Sequence, residues 1–114
     1  MVLKPSDANE KLENILTQAA GSIQYDIDDW LVAMGMARGY EEGLRYPMPE
    51  KLTNSYVNCP RAESFTLSRS AQNNLADRLL KLYQNYGWNV SKEEETIKSG
   101  ENTFTKVYLH FKRR

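Results

Sequence analysis

One cysteine, Cys59, and one histidine, His110, are all that the 114 residues hold of the two side chains most used in metal sites and nucleophilic catalysis. A single cysteine excludes an internal disulfide and fits a reducing compartment. One Cys and one His cannot complete the usual zinc set, and the acids show no calcium-loop spacing. A catalytic triad needs a nucleophile, a base and an orienting group together. His110 falls in a strand pattern and Cys59 in an irregular, proline-flanked stretch. No catalytic residue, metal ligand or cofactor is expected, and the chain reads as non-enzymatic.

Long apolar runs are missing too. None approaches the roughly 18 residues that span a bilayer. The start, MVLKPSDANEKLENIL, has no uninterrupted apolar core and is charged by Asp7, unlike a signal peptide. A cytoplasmic protein without a membrane segment is expected. Net charge is absent as well: 15 basic residues balance 15 acidic ones, so nothing draws the chain from a distance toward nucleic acid or anionic lipid. A glycine-rich phosphate loop is lacking, because Gly35, Gly39 and Gly43 fall within a helical period and not between a strand and a helix.

What is there is ordinary in amount. Forty per cent of residues are hydrophobic and 26% charged, as in a single globular domain over 1–114 with a modest core. Ser6 is placed to cap a first helix, whose apolar face is Leu12, Ile15, Leu16, Ala19, Ala20 and Ile23, ending near Gly21-Ser22. Asp26 then caps a second, with Asp29 in the capping-box position. Its stripe is Ile27, Trp30, Leu31, Met34, Ala37, Tyr40 and Leu44, and Pro47 stops it before Tyr46. These two helices make a helical half, 1–46.

Residues 47–62, PMPEKLTNSYVNCPRA, hold three of the four prolines and read as an irregular connector, part of it packed as an extended arm. From Glu63 the period becomes two, and Phe65 and Leu67 mark a short strand. Ser68 or Ser70 caps a third helix, with Ala71, Leu75, Leu79, Leu82 and Tyr86 inward and Gly87 closing it. Strands over about 88–95 and 103–112 follow, joined at Ser99-Gly100. The expected fold is α+β, two N-terminal helices and then a βαββ half over 63–114 with a small, mostly antiparallel sheet (ααβαββ).

Centring the hairpin on Ser99-Gly100 pairs Trp88 with Phe111, Val90 with Leu109 and Lys92 with Val107, so one sheet face is apolar. The other carries Lys106, Tyr108, His110 and Lys112, extended by Arg113 and Arg114. Aromatic platforms with interleaved cations suit single-stranded nucleic acid, and helix-plus-hairpin order suits a winged helix. Glu93 and Glu95 fall on the same face and oppose that reading, which stands second.

The first reading rests on GMARGYEEG, residues 35–43. On a helix, Gly35, Gly39 and Gly43 follow Leu31 at successive steps of four and form a slowly winding groove, flanked by Trp30, Met34 and Tyr40. A row without side chains admits another backbone closely, as in small-xxx-small packing. That backbone is the chain's own first helix, a second copy of this helix or a different protein; the remaining alternative is a helix kinked or frayed at these glycines. The octet ARGYEEGL is similar to short stretches of small phage and prophage proteins; eight residues imply no site. The expectation is a protein acting through protein–protein contact and self-association, with Trp30, Met34, Gly35, Gly39, Tyr40 and Gly43 at the interface.

Overall fold

The computed structural model describes residues 2–52, 57 and 66–112, apart from the side chain of Phe104. The expectations placed on Cys59, Phe65, Arg113 and Arg114 lie outside the described residues. Within them the elements are α1 (Pro5–Arg38), β1 (Leu44–Pro47), α2 (Arg69–Asn85), β2 (Asn89–Ser99) and β3 (Asn102–Lys112). The strands form an antiparallel sheet in the order β1-β3-β2. Helices with a small antiparallel sheet make this an α+β arrangement.

The two expected N-terminal helices are one. α1 runs unbroken for 34 residues through Gly21, Ser22 and Asp26. Leu16, Ala19, Ile23, Ile27 and Leu31 are all buried. Their spacing continues one face straight across the expected break. A helix-interior glycine costs about 1 kcal/mol, whereas burying a single isoleucine contributes about 1.5–3 kcal/mol. Continuity therefore wins, and Gly21 faces open space. The helix also starts earlier than Ser6. Lys4 is the N-cap and Pro5 holds the first position, where its missing N–H is no loss.

The helix also ends sooner. Gly39, at φ 72°, closes it by donating its N–H to the Gly35 carbonyl. Leu44–Pro47, expected as the last helical residues before Tyr46 and the start of the connector at Pro47, is the strand β1, with Leu44 and Tyr46 inward and Arg45 and Pro47 outward. It pairs Leu44 with Phe111 and Tyr46 with Leu109. Pro47 is tolerated because β1 is an edge strand. The Met48 N–H extends the pairing to the Val107 carbonyl at 2.8 Å. Met48, Leu52 and Val57 are buried, so these residues of the connector pack on the core. No strand forms over 66–68, where Leu67 instead donates its N–H to the Glu50 carbonyl.

α2 begins as the sequence indicates, with the Ser68 hydroxyl accepting from the Ala71 N–H at 3.1 Å. Its buried face is Gln72, Leu75, Ala76, Leu79 and Tyr83. Tyr86, expected inside, is exposed. The hairpin turns on Gly100-Glu101 and not on Ser99-Gly100. Val90 consequently opposes Phe111, and Glu93 opposes Tyr108. Each partner moves by two residues, an even step, so the face assignments survive. Val90, Val107, Leu109 and Phe111 are buried under the helices.

Candidate functional site

The three glycines do not share a helical stripe; only Gly35 lies within α1. A Cβ on Gly35 would overlap the Tyr40 phenol. Tyr40 folds back over the end of α1 and donates its hydroxyl to the Leu31 carbonyl at 2.8 Å. Gly39 caps the helix and meets nothing within 4 Å. Gly43, at φ 83°, leads into β1 beneath the His110 ring, which a Cβ there would strike. Trp30, Met34 and Tyr40 pack against the chain's own core. Trp30 meets Tyr46 edge-on at 5.2 Å, and Tyr40 meets Trp88 at 5.4 Å between ring centroids. The close approach that Gly35 and Gly43 permit is thus that of side chains of the same chain, Tyr40 and His110, to the glycine backbone.

The outer sheet face gathers Lys106, Tyr108 and His110, with Glu93 and Glu95 from β2, as the hairpin parity indicates. Arg45 is the member that sequence reasoning missed. Its guanidinium lies 3.0 Å from Glu93, 3.6 Å from Glu95 and 4.1 Å above the Tyr108 ring. His110 Nδ1 lies 3.1 Å from the other Glu93 oxygen. The signal was available in Leu44, Tyr46 and Met48, whose period of two puts Arg45 on the opposite face. Arg45 is thus already shared between two carboxylates, and Lys106 and Lys112 are the other cations of this face among the described residues. Lys112 is exposed at the end of β3.

Asp26, Asp28 and Asp29, expected at a helix start, lie in the middle of α1. Two of them tie the helix to other elements. The Tyr46 hydroxyl donates to Asp26. The Tyr83 hydroxyl donates to Asp28 at 2.6 Å and also approaches the Gln24 carbonyl at 3.1 Å. Burial first, and then the Asp28 carboxylate, push the Tyr83 phenol far above its ordinary value. A raised folded-state pKa means that stability is fully present below the unfolded value, about pH 10, and falls as pH rises beyond it. Tyr83→Phe is expected to cost about 1–2 kcal/mol at neutral pH. It should also flatten the alkaline loss of stability relative to the unmutated chain. Urea titrations of both proteins from pH 8 to 11 check this; parallel pH profiles would show that Tyr83 is not the titrating group.

Beside this bond a cavity of about 360 Å³ opens between α1 and the end of α2. It is lined by Gln24, Asp28, Leu82, Tyr83, Tyr86 and Trp88. On the far side of α1, Tyr25, Val32 and Met36 are 76%, 61% and 82% exposed. Spaced at i, i+7 and i+11, they form one outward stripe, opposite the face that packs on the core. No helix among the described residues is long and apolar enough to cross a membrane. Among them, no three His, Cys, Asp or Glu side chains are grouped to hold a metal ion. Comparison with protein families, curated proteins and solved structures finds no match to this chain.

Proposed function

We propose that this protein acts without catalysis, by protein–protein contact, and that it pairs with a second copy of itself through the outward face of α1. The observation that carries the reading is the exposed stripe Tyr25, Val32 and Met36. Isolated exposed apolar residues are ordinary, but several large ones aligned on a rigid helix mark an interaction surface. Gly21 opens the same face with free space above it, so a facing helix can approach closely there. This reading takes the face of α1 opposite to Trp30 and Met34, because Trp30 and Tyr40 are engaged in ring contacts within the chain.

Light scattering at tens to hundreds of micromolar is expected to give twice the 13.2 kDa chain mass. The double variant Val32→Glu/Met36→Glu should return the mass to a single chain while leaving folding stability within about 0.5 kcal/mol, as for exposed substitutions. A single-chain mass for the unmutated protein at every concentration would reject self-association. Nucleic-acid binding through Lys106, Tyr108, His110, Lys112, Arg113 and Arg114 remains the weaker reading, because Glu93 and Glu95 stand among the cations.

A further inference from the structure

The cavity between α1 and the end of α2 has a composition that fits one kind of ligand. Its rings are Tyr83, Tyr86 and Trp88, and among the described residues that line it the one carboxylate is Asp28. Asp28 accepts the Tyr83 hydroxyl and, among the described residues, is in no ion pair. α2 ends at this cavity, and its last turn carries no basic residue. No side chain of that turn therefore offsets the partial negative charge of the helix C-terminus. Aromatic faces favour cations electrostatically through their quadrupoles. A carboxylate, a helix C-terminus and a ring-lined wall thus point the same way.

Trp88 is fixed within this wall. Its backbone N–H donates to the Tyr83 carbonyl at 3.1 Å, and its ring packs edge-on against Tyr40 and Phe111. Tyr86 is the opposite case, 80% exposed at the rim. An apolar ring turned to water beside an uncompensated acid gains from a ligand that covers the ring and meets the charge. A lysine or arginine side chain does both, since its aliphatic stem lies along aromatic surface while its head meets the carboxylate.

We propose that this cavity binds a basic side chain, lysine or arginine, presented by a protein partner. The proposal rests on the reading of the chain as a protein-binding module, but it uses a surface other than the α1 stripe. The probes are a capped lysine tripeptide, its Nζ-acetylated form and tetramethylammonium, titrated against the isotope-labelled full chain and followed by backbone amide and tryptophan indole resonances.

The lysine peptide is expected to shift Gln24, Asp28, Tyr86 and Trp88 with millimolar saturation, and the acetylated peptide to bind at least about fivefold more weakly. Asp28→Asn keeps an acceptor for the Tyr83 hydroxyl and should weaken the lysine peptide by about fivefold. Tyr86→Ala, at an exposed rim position, should weaken it by a similar factor without altering the thermal midpoint. Equal binding of the two peptides, or shifts confined to other residues, would overturn the proposal. Tetramethylammonium binding more tightly than the peptide would overturn the choice of a protein side chain. The measurement is independent of chain mass, so a strictly monomeric protein that still prefers the charged peptide rejects self-association and keeps the cation site.

Discussion

Replacing Phe111 with alanine is expected to cost about 3–5 kcal/mol, the range for emptying a buried aromatic position. The ring is fully buried in the central strand of the sheet. It meets Tyr83 at 5.2 Å, Trp88 at 6.0 Å and Trp30 at 6.1 Å between centroids. Those neighbours come from α2, from the residue before β2 and from α1, so one side chain joins both helices to the sheet. They are large and held from other sides, and they cannot collapse into the void. A fold stabilised by the usual 5–15 kcal/mol would lose a large part of its margin. Urea unfolding followed by tryptophan fluorescence should show the midpoint fall sharply. A loss below about 1 kcal/mol would mean that the aromatic cluster is not the centre of the core.

Gly43→Ala is expected to cost about 2–5 kcal/mol from two separable causes. At φ 83° the backbone is in the left-handed region, where a Cβ costs roughly 1–2 kcal/mol. The new methyl would also strike the His110 ring. That ring is held by Glu93 on one side and cannot swing away freely, so an overpacking cost of about 1–3 kcal/mol adds. The double variant Gly43→Ala/His110→Ala separates the two. Removing the imidazole should recover about 1 kcal/mol or more of the loss, a coupling beyond the roughly 0.5 kcal/mol seen between independent sites. Additive single and double variants would show that the ring is no obstacle and that backbone conformation alone demands glycine there.

The glycines show how a correct local observation leads to the wrong element. Three glycines at steps of four read as a helical groove, because each of the first two lies where the apolar stripe still runs. Glycine 39 nonetheless ends the helix, and glycine 43 serves a turn. Sequence spacing cannot distinguish a glycine that admits a partner helix from one that admits the chain's own Tyr40 or His110. That difference depends on where residues distant in sequence return. The same holds for Arg45, whose meeting with Glu93 and Tyr108 follows only from β1 pairing with β3.

By itself, the sequence determined what is local and repeated. A serine cap at Ser68 or Ser70, the body of α2, the strand character of the C-terminal hairpin and the division of its residues between two faces all follow from periods and end signals that extend over several turns or strand repeats. The even register shift left those faces intact, because alternation fixes parity more firmly than it fixes partners. Tertiary structure alone decided three other things. It made α1 continuous, since burial of Leu16 and Ala19 before Gly21 and of Ile23 and Ile27 after it outweighs one glycine. It made Leu44–Pro47 a strand, since four residues carry too little periodicity to declare themselves and β3 offers an edge whose N–H and C=O groups need partners. It also left Tyr25, Val32, Met36 and Tyr86 in water, because which side of a helix stays uncovered is set by what packs on the other side.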